Sequence, residues 1–240
     1  MAADRDFRVV PLNQARSGPN HPLRADEFAR ESELSTNRVL RNTYLLLSAT
    51  LLFSAAMAGL AMAIGMPYLG PIVTLVGYFG LLFLTYRLRN SAAGIGAVFA
   101  LTGFMGLTLG PILSAYLTSV PNGGELVMTS LGITGLLFAG LSAYTIKSRR
   151  NFSFMAGFLT VGLFGLLGVI VVGLFVDLSA FQMVISAAVV LLMAGYILYE
   201  TSAIIHGGQT NYILATVSLY VSIYNIFLHL LMLLGLGGDD

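Results

Sequence analysis

Hydrophobic and polar positions alternate along this chain on the scale of whole segments rather than single residues. Residues 1 to 41 are polar, and seven apolar stretches follow at 43–64, 69–86, 92–117, 126–146, 152–176, 181–205 and 212–234. Each stretch is near the roughly 20 residues that a helix needs to cross bilayer hydrocarbon. The connections are short, which leaves no room for a second domain. The pattern predicts an all-α integral membrane protein: one seven-span domain over 42–240, preceded by an N-terminal arm over 1–41. The arm lacks the layout of a cleavable signal, because its apolar stretch starts too late and runs too long. Residues before His21 and Pro22 are expected to be disordered, and 26–41 to form an amphipathic helix on the membrane surface, with Phe28, Leu34, Val39 and Leu40 as its apolar contacts.

The seventh stretch departs from uniform hydrophobicity in a regular way. Asn211, Ala215, Ser218, Ser222, Asn225 and His229 recur at steps of four, three, four, three and four, which on a helix is one continuous stripe. Apart from Thr216, the rest of that stretch is aliphatic or aromatic. A polar stripe through most of a bilayer must face protein or water. The seventh helix is therefore expected at the centre, wrapped by the other six.

Composition agrees with this picture. The chain is 57% hydrophobic and 10% charged, against roughly 25% charged in an ordinary soluble domain. Too few charges remain to cover a water-facing surface, and no basic patch suited to nucleic acid exists. There is no cysteine, which excludes disulfides, thiolate metal sites and a cysteine nucleophile.

The placement of charge fixes an expected orientation. Seven of the twelve Lys and Arg precede Thr43; the others are Arg87 and Arg89, then Lys147, Arg149 and Arg150, in alternate short loops. The opposite loops hold only Glu125 and Asp177. The positive-inside rule puts the N-terminus in the cytoplasm and the 235–240 tail outside.

Within the spans, glycine recurs as Gly103, Gly106 and Gly110, followed by Pro111, and again as Gly157, Gly162, Gly165 and Gly168. Such spacing lets helix backbones approach closely. Pro111 suggests a kink or loosened turn. No internal repeat of the kind found in inverted-repeat transporters is evident.

Enzymatic chemistry finds little support. There is no His-Glu-x-x-His, no Gly-x-Ser-x-Gly, and the three histidines, His21, His206 and His229, are scattered. An intramembrane aspartyl protease needs two facing carboxylates, and Glu200 is the one acid inside a span. The chain is read as a non-enzyme, with no cofactor beyond a weakly held Ca²⁺ or other cation and no firm metal site.

Glu200 is the leading functional candidate, since a carboxylate in hydrocarbon needs a partner, water or a task. It lies about 9 Å of helical rise before the 206–211 hinge. A water-filled cytoplasmic vestibule there would touch Glu200, Ser222 and Asn225, and Arg87 or Arg89 would reach back to neutralise the acid. Plainer roles stand beside these. Glu200 is near enough to a helix end to snorkel or cap, and Ser218, Ser222 and Asn225 suit interhelical hydrogen bonding. His229 suits an interface contact and His206 belongs to the hinge.

At these residues the chain resembles the Bax-inhibitor family, in its bacterial YccA-like branch. The resemblance rests on Gly106 to Tyr116, on Tyr199-Glu200-Thr201, on Asn211-Tyr212, and on Ser-Leu-Tyr-Val-Ser-Ile-Tyr-Asn-Ile-Phe up to Phe227. It implies six helices around a seventh and, for some members, a pH-sensitive calcium or cation leak. There, two aspartates on the last two helices share protons and an arginine from the second helix latches the mouth. Glu200 matches the first aspartate, Ser222 matches the second, and Arg87 or Arg89 matches the latch. A serine cannot share a proton in that way. The branch also implies a non-conducting alternative in the bacterial inner membrane: a regulator of a membrane-bound protease or quality-control assembly, acting through the N-terminal arm.

Overall fold

A computed structural model describes residues 22–236. Seven long α-helices make up the described chain: α1 (Pro22–Ala63), α2 (Gly70–Leu88), α3 (Ala93–Ser119), α4 (Gly123–Ser148), α5 (Ala156–Gly173), α6 (Gln182–Ile205) and α7 (Tyr212–Leu236). All seven are long and apolar enough to cross a membrane. Short 3-10 turns at Ser153–Met155 and Ser179–Phe181 precede α5 and α6. They trim the fifth and sixth stretches at their N-terminal ends.

The N-terminal part differs from expectation. Residues 26–41 form no separate surface helix; they are part of α1, which is continuous for 42 residues. Nothing in their sequence breaks a helix, since Pro22 sits at the first helical position, where proline is tolerated. The disorder expected before His21 falls outside the described residues, as does the end of the tail.

α7 occupies the interior, packed against α1, α3, α4 and α6. α3 shares that interior position, against α1, α2, α4 and α7. α2 lies chiefly on α3 and α5 chiefly on α6, so these two are outriggers of the bundle. Neither is a substantial neighbour of the other.

Small residues set the closest approach, between α1 and α3. A Cβ on Gly106 would collide with the Ser54 carbonyl, and one on Gly110 would come within 2.5 Å of the Ala61 Cβ and 2.8 Å of the Ala58 carbonyl. Ser54, Ala58 and Ala61 thus form the α1 half of a small-residue interface. α3 is helical without interruption through Pro111. The α5 glycines behave otherwise: Gly162 meets Leu192, but Gly157, Gly165 and Gly168 have nothing within 4 Å of a Cβ position. They line no tight helix crossing.

Polar bonds tie this interior together. The Tyr220 hydroxyl on α7, 1% exposed, donates to the Thr102 carbonyl on α3 (3.3 Å) and lies 2.5 Å from Ser54 Oγ on α1. Thr216 Oγ1 donates to the Thr43 carbonyl at 3.3 Å. Tyr196 on α6 donates to the Leu159 carbonyl of α5 at 3.1 Å. In hydrocarbon each such bond satisfies a group that lipid could not.

Candidate functional site

Glu200 lies in the penultimate turns of α6, and its residue is 6% exposed. It faces α7: the Ser218 side chain and Gln209 of the α6–α7 connection are the polar neighbours of its carboxylate. Its Oε1 has no hydrogen-bond partner. Buried to this degree, Glu200 is covered where an open vestibule was expected, with Gln209 of the connection beside it.

Gln209 begins a chain of contacts across one end of the bundle. Its Oε1 accepts the backbone N–H of Asn211 at 3.1 Å. Asn211 Oδ1 accepts the N–H groups of Ile213 (3.0 Å) and Leu214 (3.2 Å), so Asn211 is the N-cap of α7. The Asn211 amide donates to the Arg89 carbonyl at 3.0 Å and to Asn90 Oδ1 at 2.9 Å. Glu200, α7 and the α2–α3 loop are thereby joined through two amide side chains.

The arginine latch takes a different form. Arg87 is exposed, and the Arg89 guanidinium sits over the Tyr86 ring, 4.1 Å from its centroid, a cation–π contact. Neither reaches Glu200. What joins Arg89 to the site is its carbonyl.

The other stripe residues separate into distinct roles. Ser222, 2% exposed, donates to the Ser218 carbonyl within α7 at 3.0 Å; it is Ser218, one turn earlier, that meets Glu200. Asn225 donates to the Val221 carbonyl at 2.8 Å. His229 Nδ1 lies 3.1 Å from Ser186 Oγ and ties α7 to α6. His206 Nδ1 lies 2.8 Å from the Ser202 carbonyl, and Ser202 Oγ accepts the Phe152 N–H at 2.9 Å, which fastens the α4–α5 loop to α6.

Two cavities of about 270 Å³ each run along one side of α7 between α2 and α5. They share Tyr78, Leu82, Leu163, Met193 and Val221 and so form one slot. Ser218 and Ser222 line one end, and Tyr224 and Asn225 the other. The polar face of α7 is the floor of this slot.

Sequence reasoning singled out Glu200 and its α7 neighbours but missed Gln209, which it treated as part of a polar hinge. Its one signal was an amide two residues before a capping asparagine.

These features define an all-helical, multi-pass membrane protein with a buried acid on its sixth span facing a central seventh. The chain belongs to the Bax-inhibitor family: the family profile described as "Inhibitor of apoptosis-promoting Bax1" matches residues 36–239. It is 54% identical over 203 residues to an uncharacterized protein of Pseudomonas aeruginosa, covering 84% of this chain and 91% of that one. It is 50% identical over 211 residues to the Modulator of FtsH protease YccA of Escherichia coli, covering 88% and 95%. It is 42% identical over 222 residues to an uncharacterized membrane protein of Vibrio cholerae, covering 92% and 99%.

Proposed function

We propose that this protein is a non-catalytic modulator of a membrane-anchored protease in the bacterial inner membrane, with its N-terminus in the cytoplasm. The observation that carries this reading is the continuity of α1. Its 42 residues span roughly 63 Å at 1.5 Å each, about twice the ~30 Å hydrocarbon thickness. The polar N-terminal part is thus a helical extension of a membrane span, able to hold residues 22–41 against a neighbouring protein at a set distance from the bilayer. The name of the Escherichia coli relative, a modulator of FtsH protease, supports the same partner class. Arg87, Arg89, Lys147, Arg149 and Arg150, in the last turns of α2 and α4 or in the connections that follow them, lie at the end of the bundle where the arm emerges, which supports the orientation.

The test is degradation of a membrane substrate by a co-reconstituted FtsH-type protease in proteoliposomes. Full-length protein should change the rate, and a variant lacking residues 2–32, which keeps the Glu33–Ala63 span, should not. An unchanged effect of the shortened chain removes the reading.

A second reading, a proton-sensitive cation leak, is favoured by one observation: the Glu200 Oε1 is buried without a partner. The oxygens of Glu200 and Ser218 are fewer than the roughly 6 to 8 of a resident Ca²⁺ site, so the acid would be a point of transit. Cation flux into protein-containing liposomes should then fall with Glu200→Gln, and equal flux ends this reading.

A further inference from the structure

The slot between α2 and α5 places two polar side chains in the middle of the membrane. Tyr78 is the ninth of the 19 residues of α2, and Asn225 is the fourteenth of the 25 of α7, so both lie near the midpoints of their spans. Asn225 donates its amide N–H within α7, which leaves its side-chain carbonyl available as an acceptor, and the Tyr78 hydroxyl is available as a donor. Both residues line the slot. One is a donor and the other an acceptor.

Hydrocarbon cannot satisfy either group. The apolar walls, with Leu163 and Leu167 of α5 and Leu75 and Phe79 of α2, suit a second apolar body beside those two groups. Phe79 and Leu163 are 44% and 39% exposed, so the walls are partly uncovered, and α2 and α5 do not close against each other. We propose that the slot is a docking site for a transmembrane helix of another protein carrying an amide or hydroxyl side chain near its middle. Such a side chain would accept from Tyr78 and donate to Asn225, and its own helix would cover the slot. A protein that meets membrane clients in this way selects spans with a misplaced polar residue over purely apolar ones. This goes beyond the protease reading and does not use the N-terminal arm.

The experiment contains no protease, so either reading can fail alone. Labelled full-length protein in liposomes is titrated with a fluorescent single-span peptide of about 20 leucines bearing one central Asn, and in parallel with its all-leucine counterpart. Energy transfer should report association of the Asn peptide about three- to tenfold stronger. Tyr78→Phe and Asn225→Leu, which alter slot residues without enlarging any side chain beyond the cavity, should each reduce that preference, and together abolish it. Equal association of both peptides means the slot takes hydrocarbon only and overturns the proposal. So does a preference that survives in the double variant, or no association of either peptide, the result expected of a slot filled by lipid or water.

Discussion

The Asn211 side-chain amide donates to the Arg89 carbonyl across 3.0 Å, fastening the start of the last helix to the end of the second. The same side chain caps α7 through Ile213 and Leu214. Asn211→Ala removes both functions at once. Loss of the cap alone costs about 1 kcal/mol. Hydrogen exchange should quicken in the first turn of α7 and also in residues 88–92; quickening confined to α7 would show that the tie to the second helix carries no weight.

Glu200 lies beside Ser218 and Gln209. Glu200→Gln keeps a group that can bond to both and should leave thermal stability nearly unchanged. Glu200→Ala strands both partners in a buried site and should destabilise by about 1–3 kcal/mol, read as a lowered unfolding midpoint in detergent. Equal midpoints for the two variants would mean that these contacts are dispensable.

Tyr220 and Ser54 form one unit, with hydroxyls 2.5 Å apart. Tyr220→Phe and Ser54→Ala should each lower stability by roughly 0.5–1.5 kcal/mol. The double variant should lose less than the sum, since each single change already breaks the shared bond. Strict additivity in the cycle would argue against a direct bond.

The two glycine sets should respond oppositely to the same substitution. Gly110→Ala forces a methyl against Ala61 and the Ala58 carbonyl, and overpacking of this kind costs about 1–3 kcal/mol. Gly165→Ala meets nothing within 4 Å and should be neutral or favourable, because alanine is the better helix former by up to about 1 kcal/mol. Denaturation of both variants under one condition checks the contrast.

In the α5–α6 connection, Asp177 Oδ1 accepts the Ser179 N–H at 2.9 Å. That backbone bond, with a further one to the Ser179 hydroxyl, holds its carboxyl below the usual carboxylate range. A lowered folded pKa means that this local stabilisation is fully present above the ordinary carboxylate range and is lost as pH falls through the lowered value. Protection of the amides at residues 177–181, measured against their intrinsic exchange at each pH, should fall on acidification in the wild type. Asp177→Asn, which keeps an acceptor without a titrating charge, should remove that pH dependence.

The spans were legible because hydrocarbon imposes a length on every apolar stretch: six appear near their expected limits, and the first ends where expected while its helix begins earlier. Gly106 and Gly110 were legible as packing residues, since only a residue without a Cβ fits against Ser54 and Ala61. The same pattern on α5 misled, because spacing does not say whether a helix lies inside a bundle or on its flank. The joining of 26–41 to α1 was hidden for a related reason: a helix leaving the membrane changes its surroundings, and hence its composition, without ending. Asn211 fitted the stripe by spacing, yet its side chain turns back to cap α7 and reaches the α2–α3 loop.

By itself the sequence determined the class, the number of spans, the small-residue face of α3 and the isolation of one acid in the apolar bulk, because those follow from the cost of placing polar groups and chain ends in lipid. Only the tertiary structure decided what meets that acid. The partners are Ser218 and Gln209 rather than an arginine, and Arg89 contributes its carbonyl while its guanidinium rests on Tyr86. These contacts, from Glu200 to the neighbouring helix and connection and from Asn211 to Arg89 122 positions away, depend on how helices are rotated and which loops share an end of the bundle, and a linear pattern of hydrophobicity carries neither.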